Sequence, residues 1–344
     1  KLYNRATALA MLAAALAMDD AGVTAGAGDP RRFGVLLGVN ALSWDLAAMT
    51  QYLVAAESKA QPGTLDMALA NSFCMRHINP LDYSLKTLPN LAAGHLAIAH
   101  DAQGLCRALT EGPVGGAHAI GQACHLIEEG DLDVALCGGA DAQLEELFFA
   151  TYLGAGFLAS DDGERPGLVA GEGSGILILE AAERARSRGA VGHADVLGFA
   201  TGAGAGHISA EQEPEEEARR LTRVIEDAIE EAGDYPDLVA LHADGDPRHG
   251  KTETVALERA MGGRLAVLPR LSMKAAHGDL GAASSPVEFL ACSAALQHDM
   301  IPPVVSSSSE TPSAPLRRAL VISLGLFGEC AALMLARAGV ASEN

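Results

Sequence analysis

A stretch of small residues over positions 115–129 is the feature that most limits what this chain can fold into. Glycine and alanine fall on every face of the predicted helix, at Gly115, Gly116, Ala117, Ala119, Gly121 and Ala123. Neighbours can approach such a helix closely from all sides, which is typical of a helix buried between other layers. Residues 284–297 have a similar composition. We therefore expect two buried helices of this kind.

Predicted strands and helices alternate along the chain, and the alternation occurs twice. Apolar runs between glycines predict buried strands, and apolar residues at helical spacing predict helices. Strands are predicted over residues 33–39, 105–110, 133–137, 175–179, 194–199, 238–242, 320–324 and 331–335. Helices are predicted over residues 3–19, 43–58, 64–72, 91–100, 115–129, 211–232, 253–261 and 284–297. The repeated rhythm predicts a pseudo-duplicated, layered α/β fold whose halves are residues 1–195 and 196–344.

The charge of the chain limits its partners. Its 344 residues carry 44 acidic side chains against 24 basic ones, a net charge of −20. Such a surface repels phosphate backbones and anionic lipid, so nucleic acid, membranes and acidic carrier proteins are not expected as direct partners. No run reaches the roughly 18 apolar residues of a membrane helix, and no leader is visible. The six cysteines form no CxxC pair, so a cytoplasmic protein with reduced thiols is expected.

Several short motifs follow one another along the chain in a recognisable order. They include Leu-Pro-Asn-Leu-Ala-Ala-Gly-His at 88–95, Gly-Gly-Ala-Asp at 138–141 and Gly-Glu-Gly-Ser-Gly at 171–175. Further matching segments lie at residues 119–123, 241–242, 274–283 and 323–328. In this order the motifs resemble the β-ketoacyl synthases, the condensing enzymes of fatty-acid and polyketide assembly. The resemblance implies a thiolase-like fold, a pseudo-duplicated five-layered αβαβα arrangement.

The start of the first small-residue helix departs from this family. The resemblance implies a cysteine there, which takes the acyl chain as a thioester and whose backbone N–H contributes to an oxyanion hole. Pro113 stands at that position. Proline has neither a thiol nor a backbone N–H, but it is well tolerated in the first turn of a helix. We therefore expect the scaffold to persist without the nucleophile.

The other positions of the family's site are only partly kept. His242 matches the first of two histidines that stabilise the enolate formed when a malonyl thioester loses CO2. Lys274 is kept, but Asp279 stands where the second histidine is expected, and an ionised carboxylate destabilises an enolate. Leu326 takes the place of a gating phenylalanine and is followed by Phe327. No catalytic residue is therefore expected.

These departures resemble the chain-length factors of bacterial type II polyketide synthases, above all the divergent ones of polyene systems such as aryl polyene synthases. Chain-length factors have lost the cysteine and pair with an active ketosynthase. The resemblance implies such a heterodimer, in which this chain shapes the acyl tunnel, is no enzyme by itself, and meets the acyl carrier protein only through its partner. Tunnel and interface positions are implied at Tyr83, Leu85, Thr87, Leu105, Arg107 and Leu109.

Two catalytic alternatives stay open. One is an unusual acyltransferase or condensing enzyme that uses His242 as a base without a covalent intermediate. The other is a decarboxylase of malonyl carrier thioesters. Cys106 and Cys124 are expected to be core residues and not substitute nucleophiles. The eleven histidines show no metal-ligand spacing, so neither a metal nor another cofactor is expected.

Overall fold

Two mixed β-sheets form the framework of the molecule. The computed structural model describes residues 3–24, 28–40, 46–79, 86–161, 163–204, 214–303 and 314–339. The first sheet contains β1 (Phe33–Val39), β2 (Cys106–Leu109), β3 (Val134–Ala142) and β4 (Glu172–Glu180), in the order β2-β1-β3-β4. The second contains β5 (Ala194–Gly202), β6 (Leu238–Ala240), β7 (Arg270–Leu271), β8 (Arg318–Leu324) and β9 (Cys330–Arg337), in the order β5-β9-β8-β6-β7.

The strand pairing of the first sheet is repeated in the second. Strand β1 is parallel to β2 and β3, and β4 is antiparallel to β3. In the same way β6 is parallel to β7 and β8, and β9 is antiparallel to β8. Strand β5 adds one further antiparallel strand at the edge beside β9. The predicted pseudo-duplication is confirmed by this repeat.

The described helices differ greatly in length. They are α1 (Arg5–Ala21), α2 (Leu46–Ala56), α3 (Met67–His77), α4 (Asn90–His100), α5 (Gly115–Glu128), α6 (Glu146–Ala155), α7 (Ala182–Ser187), α8 (Pro214–Ala232), α9 (Pro247–Met261), α10 (Lys274–His277) and α11 (Ser284–His298). Within the described ranges, none of these helices combines the length and the apolarity needed to cross a bilayer.

Three apolar clusters bind the layers together. One joins α1 and α4 to the first sheet. Another joins α8 and α9 to the second sheet. The central cluster contains side chains from both sheets and from α5 and α11, which lie between them. The layer order is therefore α-β-α-β-α, and the expected thiolase-like architecture is confirmed.

Close backbone contacts explain the small residues of the central layer. A Cβ atom at Gly116 would lie 2.1 Å from the Ala282 carbonyl oxygen, and one at Gly121 would lie 2.1 Å from the Phe199 ring. Real Cβ atoms do not approach other heavy atoms so closely. The predicted crowding around α5 is confirmed, and it comes from the backbone before α11 and from β5.

The third strand is longer than predicted. The predicted strand 133–137 stops just before Gly138 and Gly139, but β3 continues through them to Ala142. A Cβ atom at Gly139 would lie 2.0 Å from the Ala282 carbonyl oxygen, so glycine is needed here for close packing and does not break the strand. This correction matters for the site, because the end of β3 carries Asp141.

Helix boundaries differ from prediction where side chains cap them. Helix α9 begins at Pro247, six residues earlier than expected, because Asp246 Oδ1 accepts from the N–H groups of Arg248 and His249. Helix α3 begins and ends later than predicted. Helix α6 was not predicted at all, and residues 43–45 of the predicted second helix lie outside the described residues.

Candidate functional site

Pro113 lies where the small-residue helix begins, as predicted. It sits in a 3₁₀ turn, Gly112–Val114, that runs directly into α5. Its carbonyl oxygen accepts hydrogen bonds from Ser285 Oγ at 3.2 Å and Ser323 Oγ at 3.1 Å. The turn is thus held from the central helix α11 and from β8. The backbone of Pro113 therefore has no N–H to donate, and its carbonyl oxygen is already hydrogen-bonded.

His242 lies two residues after the end of β6 and is buried. Its backbone N–H donates to Glu253 Oε1 at 2.6 Å, and the N–H of Ala243 donates to Glu253 Oε2 at 3.3 Å. The backbone N–H of Leu324 donates to His242 Nδ1 at 3.3 Å. A neutral imidazole carries one proton, so a donor at Nδ1 assigns that proton to Nε2.

Asp244 stands between two buried histidines. Its Oδ2 atom lies 3.2 Å from His242 Nε2 and 2.7 Å from His249 Nδ1. Burial raises the pKa of Asp244, but the two histidines lower it by more, so the carboxyl is ionised far below its usual range. Burial and the charge of Lys274 lower the pKa of His242, which is therefore neutral. The N–H with which His242 could stabilise an enolate faces a carboxylate instead.

Neither Asp244 nor His249 was predicted as a site residue. Their contact depends on the turn between β6 and α9, which returns His249 to the ring of His242; the two ring centroids are 5.4 Å apart. An ionisable residue two positions after His242 is the signal in the sequence that could have found Asp244.

Lys274 forms a buried ion pair with Glu288 of α11. Its Nζ lies 2.7 Å from Glu288 Oε1, and the two side chains are 3% and 1% exposed. Burial lowers the pKa of Lys274, but the charge of Glu288 raises it by more, so the ammonium is retained. The pair therefore fixes α10 to the central layer.

Asp279 is a buried carboxylate that accepts two hydrogen bonds on one oxygen. Its Oδ1 accepts from the Gly281 N–H at 2.7 Å and from Gln143 Nε2 at 3.2 Å. Nearby, Asp141 Oδ2 accepts from Asn40 Nδ2 at 2.6 Å. Burial raises the pKa of Asp141 to about 7. Asp279 therefore occupies the position at which the resemblance places a second histidine, and a second buried acid, Asp141, lies near it.

Tyr152 is a half-buried aromatic residue of α6, a helix that was not predicted. Its ring stacks on Phe148, with 4.1 Å between centroids, and meets Phe157 edge-on. Burial raises the pKa of its phenol, and the nearby acidic side chains raise it further: Asp279, Asp141, Glu329 and Asp244. The phenol of Tyr152 is therefore protonated at neutral pH.

The loop Gly325–Gly328 between β8 and β9 places its two predicted gate residues differently. Leu326 is buried, whereas the Phe327 side chain is 66% exposed. Glu329, just after this loop, extends towards the turn that holds Pro113: its Oε1 would lie 3.2 Å from a Cβ atom at Gly112. Burial raises the pKa of the Glu329 carboxyl. The loop therefore adds another acid beside Pro113.

The structure places Pro113, His242, Lys274 and Asp279, the four site positions identified in the sequence, in one region of the molecule. Ser323 holds the carbonyl of Pro113, and its neighbour Leu324 donates to His242. The charge of Lys274 acts on His242, and that of Asp279 acts on Lys274. Three distant segments thus converge around the start of α5.

The predicted interface residues lie at and near an edge strand. Arg107 of β2 is exposed, Leu105 is half-buried and Leu109 is buried. Strand β2 is one of the two edge strands of the first sheet as described. Thr87 is half-buried before α4, and Tyr83 and Leu85 lie outside the described residues.

The two candidate substitute thiols are poor nucleophiles. Burial raises the pKa of Cys124 to about 12, with Glu128 adding to the effect, and burial also raises the pKa of Cys106. A thiol with a raised pKa is mostly protonated at neutral pH and reacts slowly. The expectation that Cys106 is a core residue is wrong: it is exposed, because β2 is an edge strand.

Comparison with known proteins gives two matching family models and many relatives. Beta-ketoacyl synthase, N-terminal domain, matches residues 2–185, and beta-ketoacyl synthase, C-terminal domain, matches residues 193–308. The tetracenomycin polyketide synthase ketoacyl synthase alpha subunit of Streptomyces glaucescens is 29% identical over 329 residues, covering 91% of this chain and 74% of that protein. Nodulation protein E of Rhizobium meliloti is 30% identical over 320 residues, with the same coverage.

Solved structures share the fold. The ishigamide ketosynthase/chain length factor matches with a TM-score of 0.78 and 27% identity, covering 98% of this chain and 83% of that chain. A type II polyketide synthase acyl carrier protein in complex with its ketosynthase bound to the hexaketide matches with a TM-score of 0.81. That match is 24% identical and covers 97% of this chain and 85% of that one, so it shows the fold alone.

Proposed function

Because the chain belongs to the β-ketoacyl synthase family, we propose that it is the non-catalytic, chain-length-factor subunit of a type II polyketide synthase, paired with an active ketosynthase. The observation that carries this proposal is Pro113 at the start of the buried helix α5. The same departures, at Pro113 and Asp279, extend the proposal to polyene-type systems.

Acyl transfer through a covalent intermediate needs a thiolate and an oxyanion hole at one place. A helix N-terminus lowers a thiol's pKa and supplies backbone donors for the developing charge. At Pro113 the thiol is missing and so is the N–H, so both requirements fail at once. The turn keeps its position through Ser285 and Ser323. This combination supports a scaffold that is retained for a purpose other than turnover.

Decarboxylation without a thiol is opposed by the charges of the site. An enolate carries negative charge, and two like charges about 4 Å apart repel by about 4 kcal/mol near a protein surface. Asp244 Oδ2 lies 3.2 Å from His242 Nε2, and Asp279 stands where a second donor is required. The two catalytic alternatives depend on His242 as a donor or base, so no observation favours them.

Charge and the sheet edge support a division of labour between two subunits. The net charge of −20 makes this chain a poor dock for an acidic carrier protein, which the partner would bind instead. The exposed edge of β2 would be covered by pairing with the partner, which also removes an aggregation hazard. In this arrangement Leu105, Arg107 and Leu109 would lie near the shared tunnel.

Co-expression with a ketosynthase encoded beside this chain tests the proposal. The complex is purified through a tag on this chain, incubated with acyl carrier substrate and examined by intact mass spectrometry. We expect a one-to-one complex with the acyl mass on the partner alone. A matched pair of charge reversals, R107E on the edge strand β2 and R223E on the exposed face of α8 in the second half, tests the interface, and only R107E should weaken the complex. Acyl mass on this chain, or turnover without the partner, contradicts the proposal.

Restoring a thiol should not restore catalysis. The variant P113C is expected to fold, since a helix start accepts most residues, but to condense at least about 1000-fold more slowly than an active ketosynthase. The reason is that Asp279 replaces one donor and the N–H of His242 faces the carboxylate of Asp244. Single-turnover assays with malonyl carrier protein measure the rate, and P113A, which regains the N–H but not the thiol, is the control. Robust condensation by P113C alone would show that the second half of the site is competent.

A further inference from the structure

A group of metal-ligand side chains lies where α5 meets α8, away from the degenerate site. His125 and Glu128 lie one turn apart on α5, and Glu231 lies near the end of α8. Their ligand atoms are all within 4.8 Å of one another. Since the sequence separates Glu231 widely from the other two, no metal-ligand spacing is visible in it. Side chains three residues apart lie on the same face of a helix, so His125 and Glu128 can both reach one bound ion.

The distances between these groups fit a tetrahedral metal ion better than a hydrogen bond. His125 Nε2 lies 3.4 Å from Glu231 Oε1. Hydrogen bonds between nitrogen and oxygen are usually about 2.9 Å long. Zinc bonds of about 2.0–2.2 Å to nitrogen and oxygen place two tetrahedral ligands about 3.4 Å apart. A Zn²⁺ ion therefore fits between the two side chains with little rearrangement.

The ligands are held in place by groups outside the cluster. The backbone N–H of Phe199 in β5 donates to Glu231 Oε2 at 2.8 Å, which leaves Oε1 directed at His125. The Phe199 ring meets His125 edge-on, with 6.1 Å between ring centroids. Such outer contacts orient metal ligands and raise affinity. Cys124 Sγ donates a weak hydrogen bond to Glu128 Oε1 at 3.6 Å.

A second group of possible metal ligands has suitable distances, but a proton occupies the nitrogen that would have to bind the metal. His242, Asp244 and His249 also lie within 4.8 Å of one another and are buried. The Leu324 N–H donates to His242 Nδ1, so the proton of that imidazole lies on Nε2, the atom that would have to bind the metal. In this buried triad the hydrogen bond joins His249 Nδ1 to Asp244 Oδ2 at 2.7 Å. The surface group carries no such obstacle and is open to solvent.

We propose that His125, Glu128 and Glu231 form a binding site for a divalent transition metal of the Zn²⁺ class, completed by water. The ligands come from α5 in the first half of the chain and α8 in the second, so the bound ion ties the two halves together. The site is independent of the proposed role in polyketide assembly, and its loss leaves that role untouched.

Zinc titration of the chelator-treated full-length protein tests the site. Isothermal titration calorimetry is expected to give one Zn²⁺ per chain, and zinc at 100 times its Kd should raise Tm by about 3 °C or more. The variants H125Q and E231Q should each weaken binding by about tenfold or more. H193Q is the matched control, because His193 lies 2.9 Å from Asp20 as an exposed histidine–acid pair outside the cluster.

Three outcomes overturn the proposal. The first is the absence of saturable zinc binding at zinc concentrations up to about 100 µM. The second is binding that H125Q and E231Q leave unchanged. The third is binding that H249N abolishes while H125Q preserves it, which would move the ion to the buried triad. Circular dichroism of each variant confirms that the fold is retained.

Discussion

The variant G116A is expected to lose more than about 3 kcal/mol of unfolding free energy, at the upper end for overpacking. The added Cβ atom would lie 2.1 Å from the Ala282 carbonyl oxygen and 2.6 Å from Pro286 Cδ. The obstacle is backbone and a proline ring, neither of which can rotate away. Urea unfolding monitored by circular dichroism measures the change.

The matched control for G116A is G94A. Gly94 also lies inside a helix, α4, but a Cβ atom there would meet nothing within 4 Å. Alanine stabilises a helix interior by up to about 1 kcal/mol relative to glycine. We therefore expect the two substitutions to have opposite signs. Equal stability of the two variants would mean that the central layer can separate to admit a methyl group.

Removing one member of the buried ion pair should be nearly as costly. K274M leaves Glu288 buried and without its cation, and breaking such a pair costs about 3–5 kcal/mol. Burial raises the pKa of Glu288 to about 7 even beside Lys274, and the loss of the lysine raises it further. A carboxyl whose folded pKa is raised weakens the fold as pH rises through that value. K274M should therefore be less stable at pH 8 than at pH 6.

The double variant K274M/E288L separates charge from packing. Replacing both partners by apolar side chains of similar size is often neutral. The double variant is expected to recover most of the stability that K274M loses, and to lose the extra pH dependence. If K274M and the double variant unfold at the same urea concentration, the ion pair contributes packing alone.

Most of the layered fold could be predicted from the sizes of the residues and from the spacing of apolar residues along the chain. The crowding of α5 could be predicted because small residues on every face have one main explanation, and the contacts of Gly116 and Gly121 confirm it. The length of β3 could not be predicted. Gly138 and Gly139 could either end the strand or let a neighbouring backbone approach closely, and what packs against them decides which. That neighbour comes from a distant segment.

The candidate site divides in the same way. Pro113, His242, Lys274 and Asp279 could be placed through ordered motifs around them. The approach of Asp244 to His242 could not be predicted, because it depends on the turn between β6 and α9. Helix α6 was missed because its residues carry no periodic signal strong enough to predict a helix there.

The shared central cluster has a consequence for biosynthesis. The cluster draws side chains from both sheets, so α5 has no complete packing surface until α11 has left the ribosome. The intervening stretch of about 155 residues takes roughly 10–30 s to translate at typical speeds. During that interval a nascent first half would display an unfinished apolar layer. The chain is thus a natural client for a chaperone that shields hydrophobic surface on the ribosome, and a strong translational pause before residue 284 should lower its yield.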